Sequence, residues 1–193
     1  PGFQRETVLG FKMKGRWFWP LDIETCRIGP AGLDGLLARV REWQRASGLR
    51  AFDSRTGEGF LRVLLIRDGK RTGQRMVALI TRPGDFDGSD FVRAVRESFQ
   101  ADSIFRGEFS GTADVAAAER LELLWGAEYI FDELEIAGRR LRFRISPFSF
   151  FQTNPLATEL LYGKIRDWVA RCAPEHLYDL YGGMGGIAFS CAD

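Results

Sequence analysis

The stretch Leu177-Tyr178-Asp179-Leu180-Tyr181-Gly182-Gly183-Met184-Gly185-Gly186 decides the fold class. Its first four residues form a short buried-strand candidate, and a glycine-rich turn follows them directly. The apolar run Ile187-Ala188-Phe189 then begins a helix. A helix, a strand, a glycine turn and a further helix form the opening of a parallel α/β sheet. We therefore predict that residues 147–193 are the start of a Rossmann-like α/β domain.

The helix before this stretch has a recognisable start and end. Asn154 is a favourable N-cap, Pro155 suits the first helical turn, and Pro174 ends the helix. An apolar stripe between them covers about five turns and predicts a buried helix face. The stripe consists of Leu156, Leu160, Leu161, Ile165, Trp168, Val169 and Cys172.

Residues 1–146 have a different pattern, in which short strands are interrupted by two helices. Apolar residues at three- and four-residue steps predict these helices over 33–46 and 89–100. Strands are predicted over 60–67, 76–81, 103–110, 121–124, 128–136 and 141–145. We therefore interpret 1–146 as one β-rich α+β domain that precedes the α/β domain.

The composition excludes several classes of protein. Three cysteines in 193 residues exclude a disulfide scaffold. No run approaches about 18 apolar residues, so we expect no transmembrane helix and no membrane partner. The chain has no secretory leader, which predicts a cytoplasmic protein, and we expect a monomer. Because it starts without Met and stops soon after the glycine turn, we expect it to be a fragment.

The net charge of +1 hides a strong segregation of charge. Residues 39–75 carry ten basic and four acidic side chains, whereas 85–135 carry thirteen acids and four arginines. Residues 139–144 then hold four arginines and no acid. Such basic faces suit phosphate contacts, but they are equally typical of solvated strands and helices.

Basic and aromatic residues also lie close together near the start of the chain. Lys12, Lys14 and Arg16 are followed by Trp17, Phe18 and Trp19. This combination suits phosphate contact together with base stacking, so we predict that the three basic residues bind RNA. Core packing of the tryptophans is the alternative.

The glycine turn itself predicts a small-molecule site, because glycine lets the backbone approach a bound cofactor. No Lys-Ser/Thr pair follows it, as a nucleotide P-loop requires, and its glycine spacing fits a dinucleotide site poorly. Asp179, just before the turn, favours the positive sulfonium and ammonium groups of S-adenosylmethionine. A purely structural tight turn is the alternative.

A second signal lies before the long helix, in Phe148-Ser149-Phe150-Phe151-Gln152-Thr153-Asn154. Three aromatic residues and then two amides lead directly into the helix. The amides either cap the helix or bind a ligand that lies over the first strand of the sheet.

The segments 145–154 and 177–185, at this separation, resemble the RNA (uracil-5-)-methyltransferase family. Weaker similarity over 8–15, 22–26 and 125–130 extends the resemblance to nearly the whole chain. The resemblance implies a class I methyltransferase domain, S-adenosylmethionine as cofactor, and formation of 5-methyluridine in RNA. We expect 23S ribosomal RNA as the target in preference to transfer RNA.

The resemblance also implies roles for individual residues. It assigns cofactor contacts to Gln152, Tyr181, Gly183 and Gly185, and Asp179 and Gly186 complete the predicted cofactor site. Family members often have Cys at position 182 and a small polar residue at position 186, where this chain has glycine.

In the family, a cysteine thiolate adds to C6 of the uracil and a carboxylate removes the C5 proton. Both groups lie well after the glycine turn, so we expect no catalytic residue in this chain and place them beyond Asp193. Cys172 and Cys191 are predicted to be packed small hydrophobic residues.

The stretch 22–26 resembles the place where ribosomal RNA members carry the last of four cysteine ligands to an iron–sulfur cluster. Cys26 is thus a candidate ligand of a 4Fe–4S cluster in the complete protein, and a lone buried cysteine is the alternative. This match is the reason for favouring ribosomal RNA.

Two other functions remain open. One is a class I methyltransferase that acts on a base nitrogen or a protein side chain. The other is a non-catalytic RNA-binding module with a vestigial glycine turn.

Overall fold

A computed structural model describes residues 7–192, apart from the side chains of residues 16–19. The chain forms two compact units. Unit 1 comprises the described residues up to Ile66 together with Met76–Ala127, and unit 2 comprises Arg67–Arg75 and the described residues from Glu128 onward. The domain boundary predicted between residues 146 and 147 lies inside unit 2 and stays a prediction.

Unit 1 is an α+β unit in which two helices pack on a four-stranded sheet. The sheet has the order β3-β4-β5-β6, with β4 and β5 parallel and β5 and β6 antiparallel. Helix α2 connects β4 to β5 as a crossover. A separate antiparallel hairpin, β1–β2, precedes the sheet. The elements are β1 (Gly10–Met13), β2 (Arg16–Asp22), α1 (Leu33–Ser47), β3 (Leu61–Asp68), β4 (Arg75–Thr81), α2 (Ser89–Ser98), β5 (Ser103–Glu108) and β6 (Arg120–Gly126).

The core of unit 1 is formed by the predicted apolar faces. Leu36 of α1 and Phe91 of α2 are fully buried against Val77 and Ile104 of the two parallel strands. Burial of such side chains contributes about 1.5–3 kcal/mol each. Both predicted helices of this unit are therefore confirmed, with bounds that differ by at most a turn.

Unit 2 is built on a second antiparallel hairpin. The elements are β7 (Ile130–Ile136), β8 (Arg139–Ile145), α3 (Pro155–Cys172) and α4 (Gly186–Cys191). Ala137 and Gly138 turn between β7 and β8, both with positive φ, as a tight two-residue hairpin requires. Leu134, Ile136 and Phe143 of the hairpin form a core with Tyr162 of α3.

Two predictions about unit 2 are wrong. Residues 177–180 form no strand, and Leu180 is 78% exposed. Among the described residues no strand pairs with this segment, so its backbone groups lack a ladder partner. The predicted apolar stripe of α3 is also largely exposed, for example at Leu160 and Trp168.

Helix α3 packs on β7 through another face. The residues that it buries are Pro155, Thr158 and Tyr162. Cys172, predicted to be packed, is exposed at the end of this helix, because it belongs to the stripe that faces away from the core. None of the described helices is both long and apolar enough to cross a membrane.

Candidate functional site

A cavity of about 190 Å³ lies within unit 2. Its apolar wall comes from Leu134 of β7, Phe143 of β8, Phe151 before α3, and Tyr162 of α3. The lining also includes polar side chains and bare glycine backbone, namely Gln152, Thr158, Asp179, Gly182, Gly183 and Gly186. An apolar cavity with a few convergent polar groups is the usual form of a small-molecule site.

Five of the six predicted cofactor residues line this cavity. They are Gln152, Asp179, Tyr181, Gly183 and Gly186. The sixth, Gly185, is the N-cap of α4 and has a left-handed φ of 74°. The fold therefore brings together an amide from the segment before α3 and a carboxylate and glycine backbone from the segment after it.

Asp179 shapes the turn as well as lining the cavity. Its Oδ2 accepts a hydrogen bond of 3.2 Å from the backbone N–H of Ala188, the third residue of α4. The carboxylate therefore caps the short helix, and its remaining lone pairs stay available to a ligand. A Cβ at Gly182 would lie 3.0 Å from the same oxygen, so glycine at this position lets the carboxylate approach the turn.

Tyr181 has an unusual backbone conformation for its residue type. Its φ is 63°, in the left-handed region that costs a non-glycine residue about 1–2 kcal/mol, and its side chain is fully exposed. Packing of the ring on this chain does not offset that cost. Strain of this kind concentrates where ligands bind, which supports a role for Tyr181 at the cavity.

Gly186 lies directly against Tyr162. A Cβ at position 186 would lie 3.0 Å from the Tyr162 ring and 3.1 Å from its hydroxyl oxygen. The tyrosine of α3 thus occupies the space that a larger residue at 186 would need. This contact gives a physical reason for glycine at a position where the family often has a small polar residue.

The half-buried Arg67 holds the segment that carries Gln152, and no local pattern predicts this contact. The Arg67 guanidinium donates to the carbonyl oxygens of Pro147, at 3.2 Å, and of Ser149. Within the segment, the Ser149 hydroxyl oxygen accepts a hydrogen bond of 3.0 Å from the Ser146 N–H. Burial lowers the pKa of Arg67, which nevertheless stays protonated at neutral pH.

The segment Arg67–Arg75, which comprises the end of β3, the following loop and the first residue of β4, also joins β7 to α3. We call this segment the hairpin tip. The buried Asp132 carboxylate of β7 accepts the N–H groups of Lys70, at 3.1 Å, and Arg71, at 2.9 Å. Arg71 then forms a two-point ion pair with Glu159 of α3, at 2.6 and 3.1 Å.

These partners favour the charged form of Glu159. Burial opposes its charge, but hydrogen bonds from Arg71 and from the Glu135 N–H hold the pKa of Glu159 below its ordinary value. Polar contacts from a distant part of the sequence therefore join β7 and α3 outside the cavity. The pattern Asp68-Gly69-Lys70 predicts only a hairpin loop, so nothing local indicates this role.

The predicted RNA-binding residues are in unit 1. Lys12, on β1, forms an ion pair with Asp114, and Lys14 is exposed in the turn between β1 and β2. The side chain of Arg16 lies outside the described residues, as do those of Trp17, Phe18 and Trp19.

The cysteines lie in three different environments. Cys26 is half-buried against the apolar core of unit 1, and its role as a cluster ligand stays a prediction. One thiol does not hold a cluster, and the described part of the chain contains no group of three His, Cys, Asp or Glu residues suited to a metal. Cys191 is half-buried, and burial raises the pKa of its thiol.

The chain matches no family model, but it is similar to several known proteins. It is 30% identical over 179 residues to a tRNA (uracil(54)-C(5))-methyltransferase of Pyrococcus furiosus. It is 29% identical over 189 residues to an uncharacterised RNA methyltransferase of Oceanobacillus iheyensis. These matches cover 92% and 97% of the chain. This chain is a homologue of RNA methyltransferases.

A solved structure agrees with this assignment. The tRNA (uracil-54, C5)-methyltransferase of Pyrococcus abyssi, in complex with S-adenosyl-L-homocysteine, matches 96% of the chain with a TM-score of 0.75 and 28% identity. The predicted resemblance and the mixed α/β fold are thus confirmed for this RNA methyltransferase homologue. The present chain spans 40% of the length of each of the two relatives and 43% of the chain in the solved structure.

Proposed function

We propose that this chain provides the S-adenosylmethionine site of an RNA methyltransferase that acts on C5 of uracil. The observation that carries the proposal is the shared cavity of Gln152, Asp179 and the glycine backbone of 182–186. These groups come from two segments separated by the whole of α3. The names of the relatives and of the solved structure supply the reaction class.

Each group in the cavity has a chemical role in this proposal. S-adenosylmethionine supplies the methyl group. The Asp179 carboxylate complements the positive charge of this cofactor, and the Gln152 amide both donates and accepts hydrogen bonds. Gly183 and Gly186 admit the ligand close to the backbone. The aromatic walls, Phe151 and Tyr162, exclude water and strengthen the polar contacts.

We propose RNA as the partner. The candidate substrates are transfer RNA and 23S ribosomal RNA. Two of the similar proteins have names that state a target, and both names state uracil 54 of transfer RNA. The partial match around Cys26 favours 23S ribosomal RNA instead. A cytoplasmic location and a monomeric state also belong to the proposal, and the catalytic cysteine and carboxylate are expected beyond Asp193.

Calorimetry with S-adenosylhomocysteine tests the cofactor site. We would titrate this chain and, in parallel, the complete reading frame that contains it. Gln152→Ala should weaken binding about tenfold, because it removes an amide worth about 1–1.5 kcal/mol. Gln100→Ala is the matched control, since Gln100 is an exposed glutamine of unit 1. No heat with the unmodified protein would mean that the turn is vestigial.

Methyl transfer to transcripts of transfer RNA and of 23S ribosomal RNA fragments tests the target. Nucleoside analysis by mass spectrometry should find 5-methyluridine in one of the two after incubation with the complete reading frame. A methyl group on a base nitrogen, or on protein, would favour the alternative class I methyltransferases and contradict the proposal.

A further inference from the structure

The solvent face of the β7–β8 hairpin carries a row of arginines. Strand β8 alternates strictly, so that Phe143 and Ile145 are buried while Arg140, Arg142 and Arg144 are exposed on the opposite face. Side chains two residues apart on a strand are about 6.8 Å apart. The three arginine side chains therefore leave β8 at regular intervals on its exposed face.

Two aromatic rings lie under the end of this row nearest Arg144. The guanidinium carbon of Arg142 is 3.8 Å from the centre of the Phe131 ring, and that of Arg144 is 5.1 Å from the centre of the Tyr129 ring. The two rings meet edge to face at 5.4 Å. A guanidinium that stacks on a ring keeps the N–H groups at its edge free for a phosphate.

At this end of the row the guanidinium groups have no ion-pair partner within the described part of the chain, although Glu133 lies across from Arg142 in the strand register. Arg140 has a carboxylate partner, because its Nε lies 3.6 Å from Glu133. Arg142 and Arg144, by contrast, form no ion pair and no hydrogen bond with any described residue, and their contacts are the two rings. The half-buried Arg67 differs, because its guanidinium donates to two carbonyl oxygens.

We propose that Arg142 and Arg144, with Tyr129 and Phe131, bind a single-stranded segment of the substrate RNA. The inference rests on the proposed function for the identity of the ligand as RNA. Phosphates repeat along a strand as these guanidiniums do, and the ring of Tyr129 offers a platform for a base. An acidic peptide has no bases to stack, so the aromatic pair favours RNA.

This surface anchors the RNA away from the reacting base. Leu134 and Phe143, which line the cofactor cavity, lie on the other face of the same hairpin. Strand β8 continues directly into the segment 146–154 that carries Gln152. RNA bound to the arginine row is therefore attached to the element that leads to the proposed cofactor site.

The test is the salt dependence of RNA binding by the double variant Arg142→Gln/Arg144→Gln. Fluorescence anisotropy would follow a short labelled single-stranded RNA on the complete reading frame, between about 50 and 200 mM salt. Removing two phosphate contacts should make the slope of log K against log salt shallower by about 1.4 and weaken binding about tenfold at low salt. The matched control is Arg93→Gln/Arg120→Gln, which removes two exposed arginines of unit 1.

The results of this experiment distinguish RNA binding at this surface from the alternatives. An unchanged slope, or equal losses in the two double variants, overturns the proposal, and so does an unmodified protein that does not bind the RNA. Displacement of the RNA by polyglutamate as readily as by unlabelled RNA would identify an acidic protein partner instead. Calorimetry with S-adenosylhomocysteine on the same samples tests the cofactor site separately from the RNA-binding surface. If the unmodified protein binds RNA at this surface but does not bind S-adenosylhomocysteine, the proposed function is refuted and the RNA-binding surface is not.

Discussion

Replacing Arg67 by Met tests whether the hairpin tip positions the cofactor segment. The methionine keeps an apolar stem of similar length but removes the donors to the carbonyl oxygens of Pro147 and Ser149. Hydrogen bonds to a charged group contribute about 1.5–3 kcal/mol each, and recovery of the guanidinium's buried hydration cost offsets part of that sum. We therefore expect a net loss of about 2 kcal/mol.

This loss should appear in cofactor binding. When Arg67 no longer fixes the segment 147–154, the ligand must order that segment on binding, which costs the same free energy. Since 1.4 kcal/mol corresponds to a factor of ten, S-adenosylhomocysteine should bind about 10- to 30-fold more weakly in calorimetry at 25 °C. Arg67→Lys, which keeps one charged donor, should recover part of the affinity.

Arg71→Met is the matched control for this prediction. Arg71 lies in the same hairpin tip but binds Glu159 of α3 and not the segment before it. Its loss should lower the free energy of unfolding in urea while cofactor affinity changes by less than about threefold. Equal losses of affinity in the two variants, or an unchanged affinity in Arg67→Met, would refute the positioning role.

Three further predictions concern stability. Asp132→Asn should lower the free energy of unfolding in urea by about 2–3 kcal/mol, because Lys70 N–H and Arg71 N–H bond to different carboxylate oxygens and an amide has only one acceptor oxygen; a loss below about 0.5 kcal/mol would contradict this. Gly186→Ala should cost about 1–3 kcal/mol by overpacking against Tyr162, and Tyr162→Leu in the same chain should recover part of it. A hydrogen bond from Arg41 lowers the pKa of Asp22 from 3.8, so its stabilising effect is complete above that pH and is lost as pH falls through the lowered value. Urea unfolding of Asp22→Asn against the unmodified chain should show a difference at pH 6 that shrinks as the pH falls below 3.8, and a difference that grows with acid would be the wrong sign.

Local sequence signals predicted those parts of the fold whose packing partner is nearby. Leu36 and Phe91 lie on apolar faces that follow helical periodicity, and both are buried as predicted. The positions of Gln152 and Asp179 around one cavity agree with the prediction from their flanking helix and turn, although their contacts with a cofactor stay predictions.

Other features depend on contacts that periodicity does not encode. Helical periodicity identifies the apolar stripe of α3 that contains Leu160, but this stripe is exposed. The side chain that packs on β7 is Tyr162, which lies on another face of the helix. The segment 177–180 has strand-forming residues, yet a strand needs a neighbour to pair with. The contact of Arg67 with Pro147 joins residues eighty positions apart, and no local pattern predicts it.

The most direct test of the cofactor site is a residue-resolved titration with S-adenosylhomocysteine by nuclear magnetic resonance. The backbone amides of Gly183 and Gly186 and the side-chain amide of Gln152 should shift together, with one saturation curve. Shifts confined to unit 1, or saturation without any change at these three groups, would contradict it.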